Sequence, residues 1–145
     1  MAKPIHEIVI FQKAVLFDSY GKLLALRRRD EDERRPGCWD LPGGGLEEHE
    51  DVRLAIEREI LEETGLIVEG LQPVHVQTVT MSSRITFDNL YIGWSVESWQ
   101  GEVRLSDEHV EFRFVTPTEF ARLQTWDEGG FLQETVRKIA ALKTH

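Results

Sequence analysis

Three glutamates, Glu59, Glu62 and Glu63, lie in a segment whose composition favours a helix. Residues 50–64 contain few helix breakers, and Gly65 follows where a left-handed residue would end a helix. Because each helical residue turns the chain by roughly 100°, the three carboxylates fall within one arc of about 100°. Like charges this close require a compensating cation, and carboxylate oxygens are ligands that suit Mg²⁺ or Mn²⁺.

The acidic arc overlaps the apolar side of the same segment, so the acids are predicted to project from the packing face of the helix. The apolar residues on that side are Val52, Ala55, Ile56 and Ile60. Leu54 and Leu61 form a second stripe almost opposite, which predicts that the helix is covered on two sides. The alternative is an ordinary charged surface helix, in which Arg58 offsets one of the three acids.

The segment Gly44–Leu66 resembles the signature of the Nudix hydrolases at every fixed position. The matching residues are Gly44, Glu50, Arg58, Glu59, Ile60, Glu62, Glu63, Gly65 and Leu66. The preceding stretch Trp39–Gly43 is also similar to that family's lead-in, and His49 stands outside the signature where many members have glycine. The resemblance implies an α/β protein with the Nudix-type α/β/α sandwich and a mixed sheet. We expect residues 1–145 to form a single domain of this kind.

The resemblance also implies a reaction, which is hydrolysis of a nucleoside diphosphate linked to another group X by attack of water on phosphorus. On this basis Glu59, Glu62 and Glu63 hold Mg²⁺ or Mn²⁺, Glu62 and Glu63 act in catalysis, and Arg58 orients the carboxylates. Family members often supply a further glutamate from a loop before a late strand. Glu108 is the best match for this catalytic base, with Glu111 in reserve.

Residues before the acidic segment are candidates for contacts with substrate or metal. Arg27 or Arg29 could bind a phosphate, because a guanidinium fork matches phosphate oxygens, although a solvated loop is the alternative for this charged stretch. Gly44 lies in a glycine run that lets the backbone approach a ligand closely. Glu47 could join the metal ligands or simply favour the N-terminus of the helix.

Composition limits the remaining choices. A chain of 145 residues suits one domain, and a net charge of −9 argues against binding nucleic acid, including capped RNA, or an anionic membrane. The five histidines show no metal-ligand spacing, and the single cysteine, Cys38, excludes an internal disulfide. The first residues fit neither a signal peptide nor a membrane span, so we expect a cytoplasmic protein. A homodimer is compatible with the sequence.

The other elements follow from local patterns. A hairpin is expected from Ile8–Phe17 and Lys22–Arg28, and strands at 67–80, 85–94 and 112–115. A capped helix begins at Thr116, and a second helical face follows near the C-terminus. That face contains Leu132, Val136, Ile139 and Ala140. Trp126 and Phe131 could stack on a nucleobase, although packing is the commoner role of scattered aromatic residues.

The expected substrate is a nucleoside triphosphate or another small nucleotide, because no second domain to hold a larger group X is apparent. ADP-ribose, nucleotide sugars and dinucleoside polyphosphates are alternatives. A nucleotide-binding module without turnover would be expected to have lost acids of the signature, which are intact here. An isomerase would need other acid and thiol groups, for which Cys38 is only a weak indication.

Overall fold

The computed structural model describes residues 7–79, 87–126 and 128–143, which form seven strands and three helices. The strands are β1 (Glu7–Val15), β2 (Leu23–Arg28), β3 (Trp39–Asp40), β4 (Gly43–Gly45), β5 (Ile67–Val79), β6 (Phe87–Gln100) and β7 (His109–Val115). The helices are α1 (Val52–Thr64), α2 (Pro117–Arg122) and α3 (Phe131–Lys143), the last preceded by a short 3-10 turn at Glu128–Gly130.

The strands form two sheets. The first has the order β4-β1-β6-β5, in which β1 and β6 run parallel and the other pairs run antiparallel. The second has the order β3-β2-β7 and is antiparallel throughout. The predicted α/β class with a mixed sheet is therefore confirmed, although the strands divide between two sheets.

Successive strand residues point to opposite faces of a sheet, and here the residues on both faces are apolar. Helices therefore cover the strands on both sides. One core joins α1 to Ala14, Leu16, Leu24 and Leu26, and the other joins α3 to Val15, Phe17, Leu23 and Ala25. All eight residues are buried, so β2, and the chain from Ala14 to Phe17 at the end of β1, are apolar on both faces in the manner of central strands. This double burial fixes the position of α1, which carries the acidic residues.

The predicted hairpin of β1 and β2 exists only next to its turn. The amide of Leu24 donates to the carbonyl of Leu16 at 2.9 Å, and Gly21 takes a left-handed conformation with φ of 75°. Beyond the turn the strands separate, because β1 pairs with β4 and β6 whereas β2 pairs with β3 and β7. The prediction of a continuous hairpin is wrong for this reason.

The two long strands and the late strand are present near their predicted positions, although β6 continues to Gln100 and not only to residue 94. Strands β5 and β6 pair antiparallel from Ile67 opposite Gln100 to Val79 opposite Asn89, and their predicted turn at 82–84 lies outside the described residues. Strand β7 begins at His109 and so earlier than predicted. Glu111 consequently lies within the strand, and Glu108 immediately precedes it.

Helix α1 begins two residues later than predicted. Asp51 caps it by accepting from the amides of Arg53 and Leu54, both at 3.1 Å, and Gly65 ends it with φ of 75°. The first turn of the helix therefore contains no acid, contrary to expectation. The prediction that the second apolar stripe of the helix is covered is also wrong, since Leu54 is 64% and Leu61 51% exposed.

The C-terminal helices agree with the sequence pattern. Thr116 and Glu119 form the predicted capping box at the start of α2, and the expected face of α3 packs into the core. Phe131 is buried and stacks on Tyr91 with ring centroids 4.9 Å apart, so its role is packing and not contact with a nucleobase. Trp126 instead lies against the guanidinium of Arg35, 4.4 Å from the ring centroid.

Cys38 is buried and free, as expected for a lone cysteine. Among the helices within the described ranges, none is long and apolar enough to cross a membrane.

Candidate active site

Glu63 is the most deeply buried acid of α1. Its side chain is 4% exposed, and it accepts a hydrogen bond from the Gly43 amide at 2.7 Å. Burial raises the pKa of Glu63 to about 8, with the charges of Asp40 and Glu59 adding to the shift and that of Lys13 opposing it. The helix therefore holds a carboxyl group whose negative charge lacks full compensation in its surroundings.

Arg58 links the other acids of the signature. It donates to both oxygens of Glu50 at 2.9 Å, and its Nη1 lies 3.2 Å from Glu59 and 3.1 Å from Glu62. Burial raises the pKa of Glu59 despite the opposing charge of Arg58. Glu59 is 18% and Glu62 58% exposed, so Glu59 faces the interior of the site and Glu62 lies at its rim.

The glycine run forms the floor of the site. It makes the short strand β4, which pairs with Phe11, Gln12 and Lys13 of β1. A Cβ at Gly44 would lie 2.7 Å from Oε2 of Glu59, and one at Gly43, where φ is 141°, would collide with the Gln12 backbone. Neither position can accept a side chain without displacing its neighbour, because such distances are below van der Waals contact.

The start of β7 brings two more groups to the acids of α1. Ligand atoms of Glu63, Glu108 and His109 all lie within 4.8 Å of one another. The His109 side chain has no exposed surface, and its Nδ1 lies 3.9 Å from Oε2 of Glu63. Burial, together with the charge of Lys13, lowers the pKa of His109 to about 4, so the ring is neutral at pH 7.

Sequence reasoning missed His109 because the expected metal-ligand spacing applies only to ligands close together in the chain. Glu63 lies on a different element, and it comes close to His109 only in the folded structure. The one available signal was that His109 directly follows Glu108, the residue selected as the candidate base.

Acidic and cationic side chains line the same cavity in this site. A cavity of about 230 Å³ lies above Gly43–Gly45, with Glu59 and Glu108 on its wall. Its other charged residues are Lys13, Arg28, Arg34 and Arg35. A small polar cavity with acids and cations can hold a metal ion and the phosphate oxygens of a ligand at the same time.

Lys13, one of the residues that line this cavity, forms a buried ion pair with Asp40. Nζ of Lys13 lies 3.0 Å from Oδ2 of Asp40 and donates to the Gly43 carbonyl at 3.3 Å. Burial alone would raise the pKa of Asp40, but the charges of Lys13 and Arg35 hold it below its usual value. Asp40 also lies 3.5 Å from both Arg28 and Arg35, and so connects the cationic wall to the glycine floor.

The arginines selected from the sequence lie beside the cavity lining. Arg27 pairs with Glu111 at 3.1 Å and with Asp30 at 3.4 Å, and Arg29 is exposed. Of the three consecutive arginines 27–29, the one that lines the cavity is Arg28. Substrate contacts of Arg27 and Arg29 stay a prediction.

The remaining acids differ in their surroundings. Glu111 is held by Arg27 and by Arg113, whose Nε lies 2.9 Å away, whereas Glu108 borders the cavity. This favours Glu108 over Glu111 as the base. Glu47 is exposed, and its backbone amide donates to Glu50 at 2.8 Å. A metal contact of Glu47 stays a prediction.

The donor set fits a divalent cation. Burial raises the pKa values of Glu59 and Glu63, and the charges of neighbouring carboxylates add to both shifts. Both ring nitrogens of His109 are buried and lack a hydrogen-bond partner within residues 7–79, 87–126 and 128–143. A cation beside these groups would relieve both costs, and carboxylate oxygens are the ligands that Mg²⁺ and Mn²⁺ prefer.

Comparisons with known proteins agree with this geometry. The family model of the NUDIX domain matches residues 13–134. Nucleoside triphosphatase NudI of Escherichia fergusonii is 28% identical over 136 residues, covering 88% of this chain and 92% of that protein. Nucleoside triphosphatase NudI of Salmonella arizonae is 30% identical over 114 residues, covering 73% and 81%. The crystal structure of MutT protein from Methanosarcina mazei Go1 superposes with a TM-score of 0.74 at 23% identity, covering 96% and 97%.

Proposed function

The chain belongs to the NUDIX domain family and is a pyrophosphohydrolase of that family, and from this premise we propose that it hydrolyses a nucleoside triphosphate or a similarly small nucleotide. The reaction depends on Mg²⁺ or Mn²⁺. The observation that carries the proposal is a single cavity lined both by Glu59 and Glu108 and by Lys13, Arg28, Arg34 and Arg35.

The choice of substrate has two supports. Two relatives that are 28% and 30% identical to this chain are named nucleoside triphosphatases. The cavity, at about 230 Å³, is smaller than the ~300–1,000 Å³ of typical ligand pockets, and its polar lining suits a phosphate chain better than a bulky second group. A nucleoside triphosphate presents such a chain, with one nucleoside to be held at the open side.

In this proposal the cationic and the acidic residues of the cavity have different roles. Arg28, Arg34 and Arg35 bind phosphate oxygens and orient the anhydride for attack. Glu108 accepts a proton from the attacking water, whose oxygen forms a new bond to phosphorus while one anhydride P–O bond breaks. A divalent ion held by Glu59 and Glu63, with Glu62 at the rim, would neutralise phosphate charge and stabilise the leaving oxygen.

The supporting residues keep these groups in place. Arg58 holds Glu50, Glu59 and Glu62 together, so that the acids of α1 keep a fixed orientation when the substrate arrives. Gly44 leaves room for the Glu59 carboxylate. Preorganised groups of this kind need little rearrangement in the transition state, and this is a main source of catalytic rate.

The direct test is a substrate panel assayed with Mg²⁺ or Mn²⁺ and, in parallel, with EDTA. Nucleoside triphosphates, ADP-ribose, a nucleotide sugar and a dinucleoside polyphosphate are each incubated with enzyme, and the products are identified by ³¹P NMR. We expect the largest kcat/KM for a nucleoside triphosphate and no turnover in EDTA. Faster turnover of ADP-ribose or of the sugar would refute the substrate, and full turnover in chelator would refute the metal requirement.

Two broader expectations accompany this function. A cytoplasmic location and a homodimer both stay predictions. Size-exclusion chromatography with light scattering tests the second directly, because the chain has a mass of 16.8 kDa and a dimer would double it.

A further inference from the structure

Two buried histidines of this protein have opposite surroundings. His75 is 8% exposed and is fully engaged, with Nε2 2.9 Å from Oε1 of Gln77 and Nδ1 2.9 Å from Nζ of Lys138. The His109 side chain is fully buried, and neither of its ring nitrogens has a hydrogen-bond partner among the described residues. Buried polar atoms are nearly always satisfied, and the unprotonated nitrogen of a neutral imidazole has a lone pair that a ligand can use.

The position of His109 identifies the kind of ligand. Its Nδ1 lies 3.9 Å from Oε2 of Glu63, which is too long for a hydrogen bond, so the ring does not orient that carboxylate directly. Ligand atoms of Glu63, Glu108 and His109 nevertheless lie within 4.8 Å of one another, a separation that one ion can bridge. A cation there would contact a nitrogen as well as oxygens.

We propose that His109 supplies a ring nitrogen to the divalent cation held by Glu63, and that this nitrogen gives the site a preference for transition-metal ions over Mg²⁺. Imidazole is a favourable ligand for ions such as Co²⁺, whereas Mg²⁺ takes oxygen ligands. The proposal rests on the proposed function, because it adds one ligand to the metal site of the same reaction. It assigns His109 a part in metal selectivity that the acidic signature does not contain.

The experiment compares the metal affinities of purified wild-type protein, His109→Gln and His109→Asn. Co²⁺ and Mg²⁺ are titrated into metal-free protein by calorimetry, without substrate, and the visible absorption of bound Co²⁺ is recorded. His75→Gln is the matched control, since it replaces the buried histidine whose partners are both protein groups. Thermal unfolding of each metal-free variant identifies any that fails to fold, and asparagine provides a shorter second replacement.

We expect both His109 variants to bind Co²⁺ at least about tenfold more weakly than wild type, with Mg²⁺ affinity changed much less. The Co²⁺ absorption spectrum should change in these variants and remain unaltered in His75→Gln. If Co²⁺ and Mg²⁺ weaken equally, or neither weakens, His109 is not a ligand and the proposal is wrong while the proposed function stands. If wild-type protein binds neither ion, both fail.

Discussion

Lys13 and Asp40 form a buried ion pair, with 3.0 Å between Nζ and Oδ2, and Lys13 lies directly opposite Gly43 of the neighbouring strand β4. Their side chains are 6% and 2% exposed, so water contributes little to their solvation. Lys13 also donates to the Gly43 carbonyl, and the Gly43 amide donates to Glu63. The ion pair is thereby connected through a single glycine to Glu63, the most buried acid of α1.

Asp40→Asn is expected to destabilise the protein strongly, because it leaves Lys13 charged and buried without its partner. Breaking a buried pair in this way costs roughly 3–5 kcal/mol in free energy of unfolding. Urea denaturation at pH 7 measures the loss. Glu134→Gln, which removes an exposed partner of Arg137, is the control and should change stability by no more than about 1 kcal/mol. Similar losses in the two variants would contradict the structural role.

Glu63→Gln is expected to lower kcat by orders of magnitude without destabilising the metal-free protein. The pKa of Glu63 is raised to about 8, so its side chain is largely protonated at pH 7 before metal binds. Glutamine keeps the shape and can still accept from Gly43. Steady-state kinetics and thermal unfolding in EDTA measure the two effects, with Glu57→Gln on the same helix as control. Near wild-type turnover, or an unfolded variant, would assign Glu63 to structure alone.

Glu108→Gln should lower kcat by roughly 10²–10⁴, the usual contribution of a general base, with little change in KM. Glu111→Gln should be mild, because Glu111 is engaged by Arg27 and Arg113. Kinetics on both variants decides between them. A greater loss in Glu111→Gln would move the role to that residue, and two mild variants would direct the search to Glu47, Glu50 or the acids of α1.

Gly44→Ala should weaken metal binding and activity, because the new Cβ would lie 2.7 Å from Oε2 of Glu59 and displace that carboxylate. The neighbouring Gly45→Ala is a close control, since its nearest heavy atom would be 3.8 Å away, an ordinary contact. Calorimetric titration of Mn²⁺ into the two proteins makes the comparison. Equal affinities would mean that Glu59 is not held where the metal binds.

Asp32 should give the protein a stability that depends on acid pH. Burial would raise the pKa of Asp32, but hydrogen bonds from Arg28 and from the amides of Arg34 and Arg35 lower it to about 2. A depressed pKa stabilises the fold above the unfolded value of 3.8, and this contribution is lost as pH falls towards 2.

Asp32→Asn should therefore be less stable than wild type at pH 6, and the difference should shrink between pH 4 and pH 2. Urea midpoints across that range test this. Glu31→Gln, an exposed neighbour, should show no such convergence. A constant difference between Asp32→Asn and wild type at all pH values would contradict the assigned pKa.

The acidic helix could be predicted from the sequence because its formation and its end depend on residues that are close together in the chain. Helical spacing places Glu59 and Glu63 on one side, and Gly65 ends the helix as its conformational freedom requires. Which side of the helix remains exposed could not be predicted, because Leu54 and Leu61 match the apolar pattern of a buried stripe. Only the tertiary packing leaves them in solvent.

The cationic wall depends on the register between strands. The sequence analysis selected Arg27 or Arg29, whereas Arg28 lines the cavity in the structure. Arg27 lies opposite Glu111 and Arg28 opposite His109, so Val110 is an extra, unpaired residue of β7. Which of these neighbouring arginines reaches the site depends on this pairing with a distant strand, and the local sequence pattern does not contain that information.

The parallel pairing of β1 with β6 has a consequence for the order in which the protein folds. Phe11 lies opposite Tyr91, so this ladder closes a long loop, and contacts between distant parts of a chain form slowly. Helix α1 and the turn at Gly21 need only local contacts and can form early. The catalytic acids are thus carried on an element that can arise at the beginning of folding, whereas the floor beneath them depends on β1, whose long-range partner is joined late.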